Sequence, residues 1–237
     1  MLIADNIIKE RIKNVYFLWG RGKTTIANEL QHKYGGYIYS TDEARERHYH
    51  SADPLHQPHM CRDYEKEYNV RSFWELPAKV ILEREENWLK EFTPMVILDL
   101  MMLSAAHDII ICEGDIDYET VAPIATHCVY LLNRSTTFDW FSRPEHVHDL
   151  DSVKNRADLS AAEKEAIIRN AHAAVSANEG HLPNWAEKYG IASVSWDDDT
   201  ALEQTAQEVA RLFGIEQPAL RNRADTFPKT LADAEQI

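Results

Sequence analysis

Six consecutive residues, Gly20-Arg21-Gly22-Lys23-Thr24-Thr25, combine the groups that phosphate chemistry needs. Glycines let backbone N–H groups approach phosphate oxygens, and a helix N-terminus aims unpaired donors and partial positive charge at an anion. A lysine at that point reaches the outer phosphates, and a hydroxyl at the next position can ligate Mg²⁺. Lys23 and Thr24 hold those two places, and Gly20, Gly22 and Thr25 complete the candidate phosphate-binding set. The full pattern G-x-x-x-x-G-K-[ST] wants a glycine five positions before Gly22, where the chain has Phe17, and Trp19 stands where small residues are expected. The loop is therefore short. Either the preceding strand ends early and the loop is rebuilt, or the chain lacks residues there. A glycine-rich turn that merely contains Lys-Thr-Thr is the plain alternative.

Carboxylates supply the second set of candidates. Glu113 and Asp115 follow an apolar run, Ile109 to Cys112, where acidic side chains can bind Mg²⁺ directly or through water. They could equally do no more than solvate a strand end. Asp42 closes Ser40-Thr41-Asp42, a junction at which aspartate often caps a helix, here one beginning near Glu43. His48, His50, His56, His59 and Cys61 are spaced H-x-H and then H-x-x-H-x-C. That fits no zinc pattern closely, and a polar pocket explains these residues as well.

The elements that must position these groups alternate along the chain. Val15 to Leu18, Tyr37 to Tyr39, Ile109 to Cys112, Val129 to Leu132 and Ala192 to Trp196 read as five buried strands. Helical patterns lie between them: Thr24 to Tyr34, closed by Gly35-Gly36; Phe73 to Ala106, expected as two helices split near Thr93-Pro94; and a helix opened by the capping box Ser160-Ala-Ala-Glu163 and running toward Asn178. Thr200 to Phe213 forms the last amphipathic helix, stopped by Gly214, with Asp199 or Thr200 as its expected cap. Residues 51–72 read as an irregular excursion, and Trp74, Trp88 and Phe92 as packing residues. Strands separated by helices imply parallel βαβ units with helices on both sheet faces, a three-layer α/β domain.

Composition narrows the function classes. The chain has 237 residues, with 25 Lys+Arg against 39 Asp+Glu, a formal net charge of −14 and no basic run. Such a chain repels nucleic-acid phosphate, so a nucleic-acid partner is not expected. Its 44% hydrophobic and 27% charged residues are those of a globular protein and exclude collagen-like or disordered structure. Three scattered cysteines, Cys61, Cys112 and Cys128, make no disulfide framework and suit a cytoplasmic setting. The first residues are charged too soon for a signal peptide, and the apolar run Met95 to Ala106 is too short to span a bilayer, so no membrane partner is expected.

Lys23-Thr24-Thr25 after strand one, Ser40-Thr41-Asp42 after strand two and Ile110-Ile111-Cys112-Glu113-Gly114-Asp115 at strand three together resemble P-loop small-molecule kinases. The relatives implied are nucleoside and nucleoside-monophosphate kinases, shikimate kinase and chloramphenicol phosphotransferase, over roughly residues 14–214. The resemblance implies a P-loop NTPase-type domain over residues 1–215, with a five-stranded parallel sheet and a helical lid insertion at about 135–188; residues 216–237 read as a tail, in part disordered. It implies ATP and Mg²⁺ as cofactors, with Lys23 on the phosphates and Thr24, Glu113 and Asp115 around the metal. Asp42 would orient or deprotonate the acceptor hydroxyl. Of Arg143, Arg156 and Arg169 in the lid, Arg156, within Asn155-Arg156-Ala157-Asp158, is the foremost candidate to neutralise the transferring phosphoryl group; surface arginine is the default for each. Uridine kinase-like enzymes carry a similar Glu-Gly after strand three, which points to a nucleoside-like or polyol acceptor. Trp196 to Thr200 falls where such kinases hold adenine. The expected activity is transfer of the γ-phosphoryl group of ATP to a hydroxyl of a small metabolite or nucleoside. The alternatives are a degenerate P-loop protein that binds nucleotide without turnover, and an NTPase driven by a partner.

Overall fold

A computed structural model describes residues 5–133, 140–142, 146–197 and 201–215. Helix α1 (Asp5–Arg11) precedes strand β1 (Val15–Gly20), helix α2 (Lys23–Tyr34), strand β2 (Tyr37–Ser40) and helix α3 (Thr41–Ser51). Residues 51–72 contain two single-turn helices, α4 (Pro58–Cys61) and α5 (Tyr64–Glu67), within the expected irregular excursion. A 3₁₀ turn (Phe73–Glu75) leads into α6 (Ala78–Leu103), followed by β3 (Ile110–Glu113), α7 (Tyr118–Val121) and β4 (His127–Asn133). After β4 come a 3₁₀ turn (Trp140–Ser142), α8 (Asp151–Lys154), α9 (Ala161–Lys188), β5 (Ala192–Trp196) and α10 (Leu202–Phe213).

The five strands form one parallel sheet in the order β2-β3-β1-β4-β5. This is an α/β fold consistent with a P-loop NTPase-type domain. Side chains alternate across a strand, and β1 shows how that builds two cores. Val15, Phe17 and Trp19 face α6, where Trp88, Phe92, Val96 and Leu100 are buried with them. Leu18 faces the other way, into a second cluster formed by Ile26 and Leu30 of α2 and Val209 and Phe213 of α10. Both faces are thus covered, as a parallel sheet requires. Trp88 and Phe92 are core residues, as their spacing suggested.

The long helical region departs from expectation at Pro94. One 26-residue helix, about 39 Å long, passes straight through it. Pro94 is exposed, while its neighbours Phe92, Thr93 and Val96 are buried. Burial of that apolar stripe outweighs the lost hydrogen bond. Helix α9 begins as its sequence indicates: Ser160 Oγ accepts from the Glu163 N–H at 3.3 Å, and the Glu163 carboxylate accepts from the Ser160 N–H at 2.7 Å. It continues beyond Asn178 to Lys188. Its Asn170 donates to the carbonyls of Trp74 and Leu76 at 3.2 and 2.6 Å and accepts from the Ala78 N–H at 3.1 Å, fixing the segment that opens α6. Ala201, rather than Asp199 or Thr200, is the N-cap of α10; those two lie outside the described residues, as does the segment 216–237.

Candidate functional site

Strand β1 does not end early. It runs through Trp19 to Gly20, paired with β4 as far as Gly20 opposite Leu131, and α2 begins at Lys23. Only Arg21 and Gly22 connect them, and the Arg21 N–H donates to the Leu131 carbonyl at 3.2 Å. Both flanking glycines are required by close approach. A Cβ on Gly20 would lie 2.1 Å from the Leu131 carbonyl oxygen, and one on Gly22 would lie 2.2 Å from the Trp196 ring. Both also hold positive φ, 90° and 84°. The Trp196 indole N–H donates to the Arg21 carbonyl at 3.0 Å, so this residue of β5 seals the turn from the side. The two glycines therefore shape a tight corner rather than a long loop.

The corner delivers the first turn of α2 to the carboxyl edge of the sheet, where β3 ends alongside β1. Lys23 Nζ lies 2.9 Å from Asp115 Oδ1, and Thr24 Oγ1 donates to Glu113 Oε2 at 2.8 Å. Thr25 stands exposed on the same turn. Gly22 caps α2 without a side-chain hydrogen bond, and the first turn holds no acidic residue, so the positive end of the helix dipole has no counter-charge from the helix itself. The carboxylates after β3 are thus matched one to one with the lysine and hydroxyl of the motif. Burial alone would push the Lys23 ammonium down, but Asp115, aided by Asp42 and Glu113, outweighs it and holds the group above the ordinary lysine range. Lys23 in turn holds Asp115 below the usual carboxylate range against the opposing effect of burial. Asp115 still opens about half of its side chain (48%) to the cleft.

Asp42 is not the cap of a helix beginning near Glu43: α3 begins at Thr41 with Ser40 as N-cap, which places Asp42 in the first turn, two residues past the cap. Thr41 Oγ1 donates to the Asp115 carbonyl at 3.2 Å, which ties the start of α3 to the end of β3. Asp42 therefore faces the same charge cluster. Desolvation by surrounding protein raises its pKa, with Asp115 adding to the rise and Lys23 and Arg45 opposing it. Its side chain remains accessible.

Above these residues lies a cleft of about 500 Å³. Gly20, Arg21, Lys23 and Asp115 form one end, and Leu131 and Leu132 of β4 extend it. The 3₁₀ turn, α6, α9 and residues Trp140 and Asp149 form the rest. Arg156 is not among the residues that line the cleft; it donates to Glu75 at 2.8 Å and to Asp158 at 2.7 Å. Its neighbour Arg71 also pairs with Asp158. Arg169 is an exposed helix residue paired with Glu165, and Arg143 lies outside the described residues.

Several lining residues carry no motif. Arg45 and Glu85 pair at 3.3 Å across α3 and α6. Trp74 reaches the cleft because Asn170 holds its segment, and Trp140 because Asp149 does. Trp74, expected from the sequence as a packing residue, lines the cleft. His146 stacks on Trp140 at 3.8 Å between ring centroids; His148 is exposed. His48 is buried against Asp99 at 2.9 Å, and His56 and His59 bond to Asp53 and Tyr64. Among the described residues no group of three or more His, Cys, Asp or Glu side chains is arranged to hold a metal by itself. A hydroxyl and two carboxylates, Thr24, Glu113 and Asp115, nonetheless form an oxygen donor set of the kind Mg²⁺ takes when phosphate and water complete its shell.

No protein-family model matches the chain, and no curated protein is significantly similar to it. Among the described residues no helix is long and apolar enough to cross a membrane.

Proposed function

We propose that the chain is an ATP- and Mg²⁺-dependent phosphotransferase acting on a hydroxyl of a small molecule, related to the P-loop small-molecule kinases. The observation that carries this reading is the paired contact of Lys23 with Asp115 and Thr24 with Glu113 at the mouth of the cleft. Bound Mg·ATP supplies the transferable phosphoryl group. Lys23 exchanges its partner Asp115 for a phosphate oxygen, and Thr24 with Glu113 and Asp115 holds the metal. The first turn of α2 directs its N–H groups at the same phosphate. Asp42, with its raised pKa, accepts the proton of the acceptor hydroxyl. Arg156, which lies outside the lining of the cleft, would neutralise the transferring phosphoryl group as its segment closes. Phosphoryl transfer asks for positioning and charge stabilisation, and these groups offer both. The free thiols suit a reducing cytoplasm, and the charge of −14 favours a small-molecule acceptor over nucleic acid.

The two-residue connection between β1 and α2 favours a second reading, nucleotide binding without turnover. It offers fewer N–H donors than an eight-residue phosphate loop would wrap around a β-phosphate. Calorimetry with Mg·ATP, run beside ATP consumption over an alcohol panel, separates the two. Turnover that disappears in Lys23→Ala supports the phosphotransferase. Binding with no consumption on any acceptor supports the second reading. ATP affinity unchanged in Lys23→Ala removes the phosphate site altogether.

A further inference from the structure

We infer that the cleft selects an uncharged, ring-bearing alcohol as its acceptor and rejects both anionic acceptors and open-chain polyols. This rests on the phosphotransferase reading for the acceptor's role, but not for its binding. Away from the Lys23 end, the walls are apolar and aromatic: Phe73, Trp74, Leu82, Trp140 and Val175 line them. The two indoles are held in place before any ligand arrives. The Trp74 N–H donates to the Asp149 carbonyl at 3.1 Å and its ring meets Phe141 edge-on at 5.4 Å. The Trp140 N–H points at Asp149 Oδ2 at 3.4 Å while its ring stacks on His146. With their N–H groups engaged, these indoles offer a ligand ring faces and edges, the surfaces that planar bodies stack on. A volume of about 500 Å³ suits a molecule of one or two rings.

The charges of the cleft are already matched. Lys23 pairs with Asp115, Arg45 pairs with Glu85 and lies 4.4 Å over the Trp88 ring, and Asp149 bonds to His146. Arg21 also has an interaction within the protein. Away from the Lys23 end, which the phosphotransferase reading gives to the nucleotide, an anionic acceptor would have to pull Arg45 from Glu85 and then sit beside that carboxylate. A polyol would place hydroxyl groups against Phe73, Trp74, Leu82 and Val175, which cannot pair them, while Arg45, Glu85 and Asp149 are engaged with partners of their own. A neutral ring with one hydroxyl meets neither obstacle, and its hydroxyl can reach the polar end at Asp115.

Titration calorimetry without nucleotide, in inorganic phosphate at a concentration that fills the Lys23 end, tests this, using thymidine and benzyl alcohol as ring-bearing alcohols, thymidine monophosphate as an anion and sorbitol as a polyol. The ring-bearing alcohols should bind saturably, with the anion and the polyol at least about tenfold weaker, the direction expected when paired charges must be broken or hydroxyls left unpaired. Val175→Trp, which fills the cleft, and Trp74→Ala should each weaken thymidine at least about tenfold, whereas Trp74→Phe should retain most of the affinity. Val175→Trp keeps the test intact should Trp74→Ala fail to fold. Equal affinity for thymidine monophosphate or sorbitol, indifference of thymidine to Val175→Trp, or no binding of either ring-bearing alcohol overturns the inference. Ring-dependent binding without ATP consumption leaves the inference standing and removes the phosphotransferase; ATP-dependent phosphorylation of sorbitol does the reverse.

Discussion

Replacing Lys23 by methionine removes the cation that contacts Asp115 just after β3, while keeping most of the side chain's length. Asp115 lies 2.9 Å from the ammonium, and Asp42 and Glu113 act on it as well. The lysine side chain is 19% exposed and the aspartate 48%. The pair therefore falls between an exposed ion pair, worth about 0–1 kcal/mol, and a fully buried one, whose breaking costs about 3–5 kcal/mol. Its loss should destabilise the fold by about 2 kcal/mol at neutral pH. The pH dependence has a definite sign. Asp115 has a depressed pKa in the folded state, so its contribution is present above the unfolded carboxylate pKa and is lost as pH falls through the folded value. Lys23 has a raised pKa, so its contribution is present below the unfolded lysine pKa and is lost as pH rises through the folded value. The difference between wild type and Lys23→Met should thus be greatest between those limits and shrink in acid as the carboxylates protonate. Urea denaturation of both proteins across that range measures it. The double variant Lys23→Met/Asp115→Asn should recover a large part of the loss, because no unpaired carboxylate remains. A penalty below about 0.5 kcal/mol at neutral pH, or one that does not shrink in acid, would refute the account of this pair as the electrostatic centre of the site.

Asp42→Asn removes the charge that would accept a proton, and acceptor phosphorylation should fall at least about a hundredfold while ATP affinity holds. Because Asp42 has a raised folded pKa, ionising it opposes folding, but its side chain is accessible; stability at neutral pH should change by under about 1 kcal/mol, read by thermal melting. Gly22→Ala should cost at least about 1–3 kcal/mol, since the new Cβ meets Trp196 in a left-handed backbone conformation. Adding Trp196→Ala should relieve the clash but not the backbone strain, so only part of that loss should return in denaturant unfolding. Arg156→Ala should lower kcat more than it raises KM for ATP, and losing the tie to Glu75 should also lower the Tm. A lowered Tm with unchanged kcat would identify Arg156 as a strut between the 3₁₀ turn and the roof of the cleft.

The local and periodic features of this domain were legible in the sequence. The apolar run Val15 to Leu18 marked strand β1, the Ser160–Glu163 box marked the start of α9, and Gly214 stopped α10, because each of these depends on neighbours a few residues away. The order β2-β3-β1-β4-β5 followed from parallel βαβ logic only as a fold class, since strand order depends on which strands bury which faces together. Three features could be decided only in the folded chain. The short connection after β1 could have been met by an early end to the strand, but pairing of Gly20 with Leu131 and packing of Trp196 on Gly22 keep the strand long and the turn tight. Pro94 signalled a break that the buried stripe around it overrode. The match of Lys23 to Asp115 and of Thr24 to Glu113 joins residues about ninety positions apart, as do Trp74 and Asn170 at the cleft wall. Such pairs leave no periodic trace. They arise because adjacent parallel strands end at the same edge, and only the tertiary fold brings those ends together.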